Sequence, residues 1–132
     1  MPFYGHLGIT LKKLSWSRSE IRLTVTRRLT QSAGSAHGGV TASLIDSAVG
    51  LALCTMLSPQ EHITTVEMKL NFIAPAKLGV LRTRAKILHK GKRIAVGDAE
   101  VLDESGKLIA KGTATYMILA NNASQAYLRE TR

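Results

Sequence analysis

His37-Gly38-Gly39-Val40-Thr41-Ala42-Ser43-Leu44-Ile45-Asp46, running on to Leu57, is the stretch on which the rest of the chain turns. Between Leu29 and Gln60 the only formally charged side chain is Asp46, although Lys, Arg and Glu are frequent on either side. Val40, Ala42, Leu44, Ile45, Ala48, Val49, Leu51, Ala52, Leu53 and Met56 cover most of the circumference of a helix, and a helix apolar nearly all round is a buried one. A carboxylate is rarely buried unless it is paired or has a task. Asp46 therefore reads in two ways: an acid on a solvent-facing seam with an ordinary structural hydrogen bond, or a group with chemistry to do.

Outward from the helix, the chain alternates as strands do. Leu7-Gly8-Ile9-Thr10-Leu11 reads as a short first strand, and Trp16–Ser19 as a turn. Ile21–Arg27 points Ile21, Leu23 and Val25 inward and Arg22 outward. Thr30–Ala36 is a polar loop of small residues, and Gly38-Gly39 opens the helix. Ser58-Pro59 ends it, because proline disfavours helical geometry in the residue before it. Thr65–Phe72 alternates strictly, setting Val66, Met68, Leu70 and Phe72 against Thr65, Glu67, Lys69 and Asn71. Leu81–Ile87 sets Leu81, Thr83, Ala85 and Ile87 against Arg82, Arg84 and Lys86. Ile94–Leu102 is less regular, with a bulge expected near Gly97, and Leu108–Leu119 follows the turn Asp103–Gly106. Short joints at Pro75–Gly79 and Lys90–Arg93 predict antiparallel hairpins. Two strands, one helix and four strands give an α+β domain over residues 1–120 in which an antiparallel sheet wraps one long helix. Residues 121–132 form a polar C-terminal tail outside that pattern.

The 132 residues are 45% hydrophobic but only 5% aromatic, which points to one domain with an aliphatic core and excludes a disordered chain. Cys54 is the single cysteine; it allows no intrachain disulfide and is expected as a small core residue. The first six residues lack the basic start and apolar run of a signal peptide. An Asp within Val40–Leu57 argues against a membrane span, and the lone cysteine, with no disulfide to form, makes the chain read as cytoplasmic. The net charge of +9 suits either a solvated basic surface or an anionic partner: nucleic acid, an acidic membrane surface or a phosphorylated small molecule.

Several chemistries lack their residues. The four histidines (6, 37, 62 and 89) are scattered, so no metal site is expected. There is no G-x-S-x-G for a serine hydrolase. Gly34–Gly39 lacks the Gly-Lys-Ser/Thr ending of a P-loop. Basic residues without interleaved aromatics disfavour a nucleic-acid platform.

What remains is the glycine-rich helix start and Asp46. Backbone N–H groups at a helix N-terminus are unpaired and carry the positive end of the dipole, so they can polarise a carbonyl or stabilise an oxyanion. A carboxylate can serve as general base or nucleophile. Asp46 lies eight residues beyond Gly38, roughly 12 Å along a helix, too far for one small carbonyl to touch both. If they cooperate, they come from two chains whose helices run antiparallel across a two-fold interface.

The chain resembles the hotdog-fold acyl-CoA thioesterases, in particular their phenylacetic-acid-degradation (PaaI-type) branch. The resemblance spans Leu7 to about Leu119. It is carried by Gly34-x-x-His37-Gly38-Gly39, Leu44-x-Asp46, Ala48-x-Gly50-x-Ala52, Thr65-Val66-Glu67-Met68-Lys69-Leu70-Asn71-Phe72, Pro75-Ala76 and Gly106–Ala110. It implies hydrolysis of an acyl-CoA thioester at the interface of a homodimer, which such chains often pair again into a homotetramer. No cofactor is implied, coenzyme A being part of the substrate. By this resemblance the Gly38 N–H polarises the thioester carbonyl, Asp46 of the partner is base or nucleophile, and Thr65 stands beside the carboxylate. His37 either fixes the loop or lies near the thioester. Gln31 stands where the PaaI branch usually has Asn, and related branches that have Gln there carry Glu in place of Asp46. Lys90-Gly91-Lys92-Arg93 is the hairpin suited to the phosphates of CoA. Two other readings remain open: a non-catalytic acyl-CoA- or lipid-binding module of the same fold, and a basic nucleic-acid-binding domain.

Overall fold

The computed structural model describes residues 1–120; the tail at 121–132 lies outside the described residues. The element order is α1 (Pro2–Leu7), β1 (Thr10–Ser15), β2 (Arg18–Val25), α2 (Gly38–Cys54), β3 (Glu61–Phe72), β4 (Gly79–Lys90), β5 (Ile94–Leu102) and β6 (Leu108–Ala120). A 3-10 turn at Arg27–Leu29 leads into the loop before α2. The six strands form one antiparallel sheet in the order β1-β2-β4-β5-β6-β3, curled around α2. This is the hotdog arrangement that the resemblance implied.

The core is aliphatic. Leu44, Ile45, Val49 and Leu53 of α2 are fully buried against Ile21, Leu23, Leu81 and Val101; each such side chain contributes about 1.5–3 kcal/mol on leaving water. Ser19 joins strand to helix by donating from Oγ to the Ala48 carbonyl (2.6 Å). Among the described residues no helix is long and apolar enough to cross a membrane.

Five expectations need correction. The chain starts with a helix, not a strand: Pro2 occupies the first turn, where its missing N–H costs nothing. Gly8, at φ +81°, ends α1 in the left-handed conformation, and β1 begins only at Thr10. At its other end α2 stops at Cys54, short of Ser58-Pro59. Thr55 Oγ1 bonds back to the Ala52 carbonyl (2.7 Å) while accepting the Ser17 N–H (2.8 Å), which turns the chain there. Cys54 is exposed, on the last turn of the helix. The irregularity near Gly97 lies on the facing strand: between Ile87 and His89 the register shifts, with Ile87 opposite Gly97.

The fifth correction bears on function. Thr65–Phe72 does not alternate strictly, because Thr65 pairs with Tyr116 and Glu67 with Thr115, leaving Val66 as an extra residue. The bulge turns Thr65 to the same inner face as Met68 and Leu70, whose partners are Ala114 and Gly112. Simple period-two counting puts Thr65 on the opposite face.

Candidate active site

Asp46 sits midway along α2, where the sheet leaves the helix partly uncovered. Thr65 donates from Oγ1 to Asp46 Oδ1 (2.8 Å). The Tyr116 hydroxyl shares its one proton between the same Oδ1 and the Asp46 main-chain carbonyl. Burial, with the Asp46 carboxylate beside it, holds the Tyr116 phenol far above its ordinary pKa, so the group is a donor at any working pH. Burial also raises Tyr4, against a hydrogen bond with Ser47 that pulls the other way. Asp46, Ser47, Tyr116, Tyr4, Phe3 and Ile63 line a cleft of about 380 Å³ in which Asp46 is the one charged side chain among the described residues. The helix α1 supplies one wall of it.

The glycine-rich end of α2 is built differently. His37 is the N-cap, at φ −58° and ψ 139°, and its Nδ1 accepts the Gly39 N–H (2.8 Å). That bond requires an unprotonated Nδ1 and satisfies one of the free donors of the first turn. The Gly38 N–H donates to no described residue. A Cβ at Gly38 would lie 3.3 Å from the Phe72 ring, so glycine gives that ring its place over the helix start. Gln31 is held by its own loop: Nε2 donates to Ser35 Oγ (2.9 Å), and Oε1 accepts the Ala33 N–H (2.8 Å). Gln31, His37, Gly38, Thr41 and Phe72 line a second cleft, of about 480 Å³.

The residues singled out in the sequence thus fall into three places. Asp46 and Thr65 meet; Gln31, His37 and Gly38 share the other cleft; and no described residue lines both. Lys90–Arg93 forms the β4–β5 turn and joins neither cleft. Lys90 is close enough to Glu61 to help lower that carboxyl, after the stronger effect of the Ser58 N–H. Lys92 and Arg93 are exposed and form no ion pair among the described residues. Tyr116 and Tyr4 escaped the sequence reading. Tyr116 lies seventy residues from Asp46, and nothing short of strand pairing connects them.

A single long helix wrapped by a six-stranded antiparallel sheet, with an anchored acid on its middle and, among the described residues, no acceptor for the N–H at its glycine start, defines a hotdog protein. The chain belongs to the thioesterase superfamily, whose family model matches residues 33–110. Acyl-coenzyme A thioesterase 13 of Mus musculus is 33% identical over 81% of this chain and 77% of its own. The 1,4-dihydroxy-2-naphthoyl-CoA hydrolase of Escherichia coli is 31% identical over 87% and 85%. A thioesterase family protein of Silicibacter pomeroyi superposes with a TM-score of 0.87 at 32% identity, over 91% of this chain and 90% of that one. Within the superfamily the protein is a thioester hydrolase of PaaI-like hotdog architecture.

Proposed function

We propose that the protein hydrolyses an acyl-CoA thioester to CoA and a carboxylic acid in a site shared by two protomers. The observation that carries this reading is that Gly38 and Asp46 open into different clefts of one chain. Each cleft holds half of what the reaction needs.

In a two-fold dimer the Gly38 N–H of one protomer faces the Asp46 carboxylate of its partner. The thioester carbonyl oxygen accepts that N–H, which also stabilises the oxyanion as the tetrahedral carbon forms. Asp46 acts as general base on the attacking water, or as the nucleophile that water later releases. The C–S bond breaks and CoA leaves as the thiolate. The free edge of β3 supports the pairing: Val66 and Phe72, 53% and 59% exposed, present apolar surface along an edge strand, which monomeric proteins usually protect. Lys92 and Arg93 are free to meet the CoA phosphates. The relatives' activities, on acyl-coenzyme A and on 1,4-dihydroxy-2-naphthoyl-CoA, support a CoA thioester as substrate.

Thiol release over a panel of short-, medium- and long-chain and aryl acyl-CoA esters tests the reading. At least one ester is turned over, and Asp46→Asn loses most of that rate while keeping the fold and CoA binding. Binding of the panel without turnover would make the protein a carrier of acyl-CoA. Retardation of DNA or RNA at low salt without turnover would favour nucleic acid instead.

A further inference from the structure

Tyr116 does more than fill space beside Asp46. The residue is 5% exposed, and its hydroxyl reaches both the carbonyl and Oδ1 of one aspartate. Thr65, directly across the β3–β6 ladder from Tyr116, brings a second hydroxyl to the same Oδ1. No described residue donates to Oδ2. One carboxylate oxygen is therefore held from two sides, and the other keeps all its lone pairs for whatever enters the cleft.

The helix accommodates this arrangement at a specific residue. Gly50 is one turn beyond Asp46, and a Cβ there would lie 3.0 Å from the Tyr116 hydroxyl oxygen and 3.4 Å from the ring carbon that bears it. Glycine is a poor choice for the middle of a buried helix on propensity alone. At this position it leaves room for the phenol to lie against α2 and reach Asp46.

We infer that Tyr116, seated on Gly50, is the positioning residue of the active site, locking the Asp46 carboxylate so that Oδ2 alone is presented to the thioester or its attacking water. The inference rests on the hydrolysis proposed above and deepens it. Thr65 alone leaves the carboxylate free to rotate about its single remaining anchor, whereas Tyr116 ties the side chain to its own backbone. The lock concerns the reacting geometry and not substrate capture, so its loss falls on kcat rather than on KM.

The test compares Asp46→Asn, Tyr116→Phe, Gly50→Ala and the double variant Tyr116→Phe/Gly50→Ala, using the best ester of the panel. Circular dichroism and thermal melting confirm that each is folded. Tyr116→Phe is expected to lower kcat about ten- to a hundredfold, the scale on which a small misplacement costs rate, with KM within about twofold. Gly50→Ala is expected to show the same split, because its methyl pushes the hydroxyl off the carboxylate. The double variant is expected to be no slower than Tyr116→Phe, since the oxygen against which the methyl presses is gone. Wild-type kcat in Tyr116→Phe, with turnover lost in Asp46→Asn, would overturn the positioning role and leave the hydrolysis intact. Independent, additive losses in the double variant would equally overturn the Gly50 seat. Full turnover in Asp46→Asn would overturn both this inference and the mechanism beneath it.

Discussion

Gly38 and Asp46 belong to the same helix yet open into different clefts, one beneath Phe72 and the other beneath Tyr4. The separation follows from helix rise and makes the proposed chemistry depend on a second copy of the chain.

That dependence is testable by mixing. Gly38 is the first residue of α2, where proline is well tolerated, and His37 already has the extended geometry that a residue before proline prefers. The facing Phe72 is 59% exposed, which leaves its ring room to shift. Gly38→Pro should therefore keep the fold while removing the N–H, and turnover should fall to near background. Reassociating it with Asp46→Asn should restore roughly a quarter of wild-type activity, because half the dimers would be mixed and each would hold one intact site. No recovery in a thiol-release assay would place both groups in one chain's site.

His37 is held by a capping bond, and its variants should separate stability from chemistry. His37→Ala should cost about 0.5–2 kcal/mol, as lost caps do, and His37→Asn should recover most of it. Melting temperatures read the first effect. If capping is the whole role, His37→Asn also retains turnover.

Charge reversal at Lys92 and Arg93 tests the phosphate contact. The double variant Lys92→Glu/Arg93→Glu should raise KM for acyl-CoA about tenfold or more with kcat little changed. Its KM should also respond less to added salt than that of the wild type. Initial rates at two ionic strengths suffice.

Gly97 brings sheet and helix into close approach. An added Cβ would lie 2.6 Å from Val49 Cγ1 and 3.0 Å from the Lys86 carbonyl. Neither neighbour is the end of a long side chain, so Gly97→Ala should destabilise by about 1–3 kcal/mol, the usual range for overpacking. Urea unfolding would show the loss as a lower midpoint.

The β5–β6 turn should give the fold a pH dependence of defined sign. Hydrogen bonds from the Ser105 hydroxyl first, then from main-chain N–H groups including that of Lys107, hold the Asp103 carboxyl below its ordinary pKa. A carboxylate lowered in the folded state adds stability above its unfolded pKa, near 4, and that stability is lost as pH falls through the folded value. Asp103→Asn keeps an acceptor without the titration. The melting-temperature gap between wild type and variant should therefore be widest near neutrality and shrink on acidification.

How much of this was legible beforehand depends on which interactions are local. The burial of α2, the inward faces of Ile21–Val25 and Leu81–Ile87, and the isolation of Asp46 all follow from side-chain periodicity within one element. Helix rise alone also separated Gly38 from Asp46. Leu7-Gly8-Ile9 has the alternation of a strand, whereas Pro2 and Gly8 begin and end a short helix there.

The sequence by itself determined one apolar helix with a glycine start and a lone acid, together with the strands that wrap it, because hydrophobic period and chain stiffness are properties of neighbouring residues. Only the tertiary structure decided what holds the acid. Thr65 reaches Asp46 because the Val66 bulge reverses the strand's alternation, and a bulge is defined by the partner strand, not by its own residues. Tyr116 reaches it across seventy positions because β6 pairs with β3 and because Gly50 leaves the phenol room. Both depend on register between distant segments, where local physics carries no signal.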